Sequence, residues 1–152
     1  MREFENIAEL KPLVGKELGV SEWFLIDQDR INAFSAVTLD THWLHTDPQR
    51  CTTEAPSGKA MVHGMLTLSL MTYLSRQIWT LKSFKTGVNY GYDRTRFLLP
   101  VHAGDRVRLR RGLAALDQSE HGWRIRFKDV MEIEGREKPA CITENISIYQ
   151  AT

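Results

Sequence analysis

The apolar positions of the chain follow more than one rhythm. Between Asp27 and about Val37, Ile31, Phe34 and Val37 recur at helical spacing behind a polar first turn of Gln28, Asp29 and Arg30. The spacing predicts an amphipathic helix with Asp27 as its N-cap. From His63 to about Trp79 the apolar residues surround the helical wheel instead of marking one stripe, which predicts a buried helix too short to span a membrane. After Lys82 the period becomes two: Val88, Tyr90 and Tyr92, then Val107, Leu109 and Leu113, then Trp123, Ile125 and Phe127, then Ile142, Ile146 and Ile148. That alternation predicts a meander of antiparallel strands, with turns at Pro100–Asp105, Asp117–Gly122 and Glu134–Arg136.

The remaining segments complete the layout. Residues 1–20 read as a lead-in, and the run Trp23–Ile26 as one short strand. Thr38–Asp47 shows neither period, and Asp47-Pro48 is the N-cap and N1 signature of another short helix. Asp40 and His45 therefore fall in a loop between two helices, and Thr52–Lys59 reads as a further loop. One strand, then helices, then consecutive strands predict an α+β fold in which a curved antiparallel sheet wraps a central helix.

Composition narrows the function classes. With 152 residues the chain is expected to form a single domain. Its 20 Lys and Arg nearly balance its 19 Asp and Glu, so it lacks the basic footprint of a nucleic-acid binder. The first residues include no apolar signal region and no later run is long enough to span a membrane, so the expectation is a soluble cytoplasmic protein without membrane association. Cys51 and Cys141 lie far apart and outside any metal or redox spacing, and are expected to be reduced thiols.

Two constellations carry candidate chemistry. Asp40 and His45 pair a carboxylate with an imidazole, which can share a water and exchange protons near neutral pH, as adding water to an activated double bond requires. The same two residues also suit a turn cap and a hydrogen-bonded loop histidine. His42, His45 and Asp47 are all ordinary zinc ligands, but they crowd one irregular loop with no helical or Cys-rich scaffold. No metal and no cofactor is expected. The second constellation surrounds Gly64, where the buried helix begins. Its amides suit the oxygen of a thioester carbonyl, while a glycine there equally suits tight packing. Leu66, Leu70, Tyr73 and Leu74 fit either an acyl tunnel or plain core. Arg94, Arg96, Arg106, Arg108, Arg110 and Arg111 fit either the phosphates of coenzyme A or phosphopantetheine or a solvated strand face.

Taken together, four pieces resemble one known family. They are Ile31-Asn32-Ala33-Phe34 leading to Asp40, Asp40-Thr41-His42-Trp43-Leu44-His45 followed by Asp47-Pro48, Val62-His63-Gly64-Met65-Leu66, and Asn89-Tyr90-Gly91 with Arg96-Phe97-Leu98-Leu99-Pro100-Val101. In this order they resemble the MaoC-like dehydratases, which include the (R)-specific enoyl-CoA hydratases. Glu137-Lys138-Pro139-Ala140-Cys141 looks like the branch named after nodulation protein N. The resemblance implies a hot-dog fold and a homodimer or higher homo-oligomer with active sites near the interface. It also implies an acyl-CoA or acyl carrier protein thioester as substrate. By position, Asp40 and His45 would activate water, and the Gly64 amide would polarise the thioester carbonyl. His42, Trp43, His63, Met65 and Thr72 would line the substrate. Hydratases often carry Asn-Pro where this chain has His42-Trp43, and some carry serine at the place of Thr72. Thioesterases of the same fold typically place their carboxylate on the long helix, which here has no Asp or Glu between Gly64 and Gln77.

Overall fold

The computed structural model describes residues 1–120 and 122–150. Along the chain run β1 (Arg2–Phe4), a 3-10 helix (Ile7–Leu13), β2 (Glu17–Val20), β3 (Phe24–Leu25), α1 (Gln28–Thr38), α2 (Trp43–Thr46), α3 (Pro48–Glu54) and α4 (Gly64–Ile78). They are followed by β4 (Trp79–Leu81), β5 (Thr86–Phe97), β6 (Arg106–Ser119), β7 (Gly122–Ile133) and β8 (Cys141–Gln150). Among the described residues, six strands make one antiparallel sheet in the order β2-β6-β7-β8-β5, with β3 also pairing β6. β1 and β4 form a separate parallel pair. No helix is long and apolar enough to cross a membrane among the described residues.

The predicted helix starts are present in atomic detail. Asp27 Oδ1 accepts from the Arg30 amide at 2.9 Å and caps α1, and Asp47 Oδ1 accepts from the Arg50 amide at 2.9 Å and caps α3 behind Pro48. Such side-chain oxygens satisfy amides that have no partner within the helix. α3 runs to Glu54, so the expected loop begins later than Thr52. The lead-in holds β1, the 3-10 helix and β2, and the strand expected over Trp23–Ile26 reduces to Phe24–Leu25.

α4 lies in the hollow of the sheet. Leu66, Leu70, Met71, Leu74 and Ile78 share one buried cluster with Leu109, Leu113, Ile125, Phe127 and Met131 of β6 and β7. Each such side chain contributes about 1.5–3 kcal/mol on burial. The sheet covers only part of the helix, and Met65, Ser69, Thr72, Tyr73 and Arg76 form an exposed stripe at helical spacing. The expectation of a helix buried all round is corrected accordingly.

The meander is corrected as well. β6, β7 and β8 are consecutive neighbours, but β5 pairs with β8 at the far edge. Pro100 interrupts the segment before β6, and Val62 N–H to Val101 O (2.8 Å) and Ala103 N–H to Ala60 O (2.9 Å) tie that segment to the residues before α4. β6 therefore cannot fold straight back on β5. Register shifts between Asn89 and Gly91 and between Asp93 and Arg96 break the alternation of β5. Val88 and Tyr90 are exposed.

The arginine cluster resolves into ion pairs and one buried group. Arg106 meets Glu134, Arg94 meets Glu144, and Arg108 and Arg110 share Glu132. Burial pushes the Glu132 carboxyl up, but the two guanidinium groups outweigh it and hold that carboxyl below its ordinary value. Arg96 donates to the Thr95 carbonyl. Arg111 occupies an inward position of β6, where Nε and Nη2 grip Asp129 at 2.8 and 2.6 Å. Phe127 lies under its guanidinium, 4.3 Å from ring centroid to Cζ. The free thiols of Cys51 and Cys141 are both buried, and burial pushes the Cys141 thiol up to about 11.

Removing one member of a buried ion pair strands the other. Asp129→Ala is expected to lower stability by about 3–5 kcal/mol in urea unfolding. The paired replacement Arg111→Met with Asp129→Leu is expected to recover most of it.

Candidate functional site

Three chain segments converge at the start of α4. The first is the end of α1. Leu39 follows the helix in the left-handed conformation, with φ 61° and ψ 15°, which costs a non-glycine residue roughly 1–2 kcal/mol. The reversal brings the carbonyl of Asp40 back over α1, where the buried Ser35 donates its hydroxyl to it at 2.6 Å. The Asp40 carboxylate is left 55% exposed.

The second segment is α2. His45, expected in a loop, sits in this single helical turn, which His42 starts by accepting the Leu44 amide on Nδ1 at 3.3 Å. Gln28 of α1 donates to the His45 carbonyl at 2.8 Å. His45 Nδ1 lies 2.6 Å from the Met61 carbonyl. A carbonyl only accepts, so Nδ1 carries the proton and Nε2 the lone pair. Met61 is itself fixed, donating its amide to Leu44 O at 2.9 Å and bridging to His102.

The third segment is the approach to α4. His63 is only 3% exposed, and its Nε2 lies 3.1 Å from the Asp40 carbonyl, to which it donates. Its ring stacks on that of His45 with centroids 3.8 Å apart and planes 24° from parallel. Gly64 then opens α4 without a side-chain cap from His63. The first-turn amides there lie at the positive end of the helix dipole. Beside them is a mainly apolar cavity of about 320 Å³, lined in part by Val62, Gly64, Thr67, Phe97 and Leu99. A Cβ at Gly64 would stand 3.2 Å from the Phe97 ring, so glycine permits that close approach.

Asp40, His45 and His63 each offer a ligand atom within 4.8 Å of the others. The donor geometry does not suit a metal. Nearly parallel stacked rings direct their in-plane lone pairs side by side, not to one point, and His63 Nε2 is already spent as a donor. The alternative set of His42, His45 and Asp47 is divided too, because His42 and Asp47 cap successive helices.

The structure thus brings Asp40, His45, His63 and Gly64 together. It does not bring every expected residue to that point. His63, expected to line the substrate, is buried beneath His45. Trp43 packs toward Cys51, Ala55 and Ala60, with the Arg50 guanidinium 4.3 Å from its ring centroid. Met65 is 57% exposed. Thr72 lies roughly 12 Å along the helix from Gly64, in a separate cleft of about 480 Å³ lined also by Arg76, Arg111 and Asn145. Leu66, Leu70 and Leu74 are core, while Tyr73 is half exposed against Phe24. Sequence reasoning missed Ser35, Gln28 and Met61. Met61 acts through its main chain and carries no side-chain signal.

The chain is similar to known proteins over most of its length. The MaoC like domain matches residues 9–121. The 3-hydroxyacyl-thioester dehydratase Z of Mycobacterium tuberculosis is 38% identical over 152 residues, covering 99% of this chain and 100% of that protein. Nodulation protein N of Rhizobium meliloti is 36% identical over 155 residues, covering 95% of this chain and 91% of that protein. Among solved structures, an (R)-hydratase from A. caviae involved in PHA biosynthesis superposes with a TM-score of 0.68 at 25% identity, covering 85% of this chain and 95% of that one.

The contact between Gly64 and Phe97 yields a double-mutant test. Gly64→Ala is expected to destabilise by about 1 kcal/mol through crowding, and to cost less in a Phe97→Ala background, as measured by urea unfolding.

Proposed function

The chain belongs to the MaoC-like domain family, and on that premise we propose that it is a hydratase or dehydratase of acyl thioesters, with Asp40 and His45 activating water and the Gly64 amide holding the thioester carbonyl. The observation that carries this reading is the gathering of the half-exposed Asp40 carboxylate and the His45 and His63 rings, one polar atom of each within 4.8 Å of the others, just before an uncapped helix start. A 38% identical relative, named as a 3-hydroxyacyl-thioester dehydratase and matched along its whole length, supports it.

In the hydration direction, water is oriented between Asp40 and His45. Its oxygen bonds to C3 of a trans-2-enoyl thioester while His45 Nε2 takes its proton. The C2=C3 electron pair moves toward the carbonyl oxygen, where the Gly64 amide and the helix dipole stabilise the enolate charge. Delivery of that proton from His45 to C2 completes the addition and restores the neutral imidazole, and dehydration runs the same steps in reverse. The apolar cavity at Val62, Thr67, Phe97 and Leu99 would receive an apolar part of the substrate. Because α4 contains no Asp or Glu, the helix carboxylate that hydrolysis on this fold uses is missing.

The acyl group would arrive on coenzyme A or acyl carrier protein. A homodimer is the assembly we favour, because among the described residues β5 pairs on one side only, with β8, and exposes Val88, Tyr90 and Phe97. Two unpaired buried thiols fit a reducing cytoplasm.

Loss of enoyl absorbance with a panel of trans-2-enoyl-CoA substrates tests the activity. Asp40→Asn and His45→Gln are each expected to lower kcat by about 10²–10⁴-fold with little change in KM. Near-normal turnover in both variants would contradict the assignment.

A further inference from the structure

His63 has a position that substrate contact does not explain. It is buried, yet it touches both Asp40 and His45. Its Nε2–H reaches the carbonyl of Asp40 at 3.1 Å, one face stacks on His45 at 3.8 Å, and Phe34 of α1 tilts against it at 5.2 Å. It also immediately precedes Gly64, at the start of the helix whose amides face the substrate in the proposed reaction.

From this geometry we infer that His63 is the positioning residue of the site, holding the Asp40 main chain and the ring plane of His45 in register with the start of α4. The inference rests on the hydratase reading for its kinetic consequence, but its structural content is independent of turnover.

Two lone pairs of one carbonyl explain the design. The Asp40 carbonyl receives Ser35 Oγ at 2.6 Å and His63 Nε2 at 3.1 Å, so both acceptor sites are filled and the peptide plane is fixed from α1 and from α4. The Asp40 side chain leaves from the Cα of that fixed peptide, and its Oδ2 lies 3.8 Å from the same His63 Nε2. His45 is fixed in two directions. The Met61 carbonyl holds Nδ1 in the ring plane, and the His63 ring blocks rotation out of it. A proton donor or acceptor displaced by about 1 Å can lose on the order of 10²-fold in rate, which is the scale on which such a clamp matters. Nδ1 of His63 has no hydrogen-bond partner among the described residues, which leaves the ring face and Nε2–H as its useful parts.

The two parts can be removed separately. His63→Phe keeps a ring against His45 but loses the donor, whereas His63→Gln keeps an N–H but loses the ring. Ser35→Ala removes the other donor to Asp40 and leaves the stack untouched. All three are read by steady-state hydration of a trans-2-enoyl-CoA and by imidazole nitrogen NMR of the full chain. Each His63 variant is expected to lose about 10–100-fold in kcat, Ser35→Ala less, and all are expected to keep KM within about threefold of wild type. In wild type, His45 is expected as the pure Nδ1–H tautomer, and in His63→Gln as a mixture. A raised KM with kcat preserved would make His63 a substrate-binding residue and overturn the inference. So would unchanged kcat and an unchanged His45 tautomer in both His63 variants. A wild-type protein without hydratase activity would remove the functional reading, and the tautomer result would still decide the positioning role.

Discussion

Burial of one side of α4 in the hollow of the sheet fixes where that helix begins, and the chemistry gathers at its beginning. Leu66, Leu70, Met71, Leu74 and Ile78 anchor the helix against β6 and β7. Gly64, two residues before the first anchor, therefore has a set position, and the first-turn amides point away from the rest of the helix. The residues that approach this point come from separate segments: Asp40 behind α1, His45 on α2 and His63 just before α4. Their common links are main-chain carbonyls. Met61 O fixes the proton of His45, and Asp40 O collects Ser35 and His63. The site is precise because peptide groups, which cannot change rotamer, act as its struts.

Much of this was legible from local rules. Asp27 and Asp47-Pro48 announce helix starts because a side-chain oxygen before an apolar period satisfies open amides within a few residues. The period of two marks β6, β7 and β8 because alternate residues face the core. Long-range choices were not legible. The position of β5 beyond β8 depends on how residues 98–105 bind the segment before α4, and no local pattern encodes that. Arg111 read as one of an exposed row, since periodicity alone assigns no partner. Only the cross-strand register that sets Asp129 opposite it explains an inward arginine.

The site shows the same division. Asp40, His45 and Gly64 are visible as residue types able to do acid–base and oxyanion chemistry. The tautomer of His45 is set by a carbonyl sixteen residues away, and the burial of His63 by a stack with a residue on another helix. His63, which the motif suggests as a substrate contact, is instead buried beneath the His45 ring. Thr72 and Trp43 show the converse: a neighbour in a motif need not be a neighbour in space, because two helical turns separate Thr72 from Gly64 and Trp43 turns toward α3.

The proposed reaction turns on where one oxygen atom sits. A crystal structure of Asp40→Asn with a bound 3-hydroxyacyl thioester measures this directly. The C3 hydroxyl is expected within hydrogen-bond distance of His45 Nε2, and the thioester carbonyl within hydrogen-bond distance of the Gly64 amide. A ligand whose hydroxyl lies instead in the cleft of Thr72 and Arg76, with Gly64 unoccupied, would contradict it.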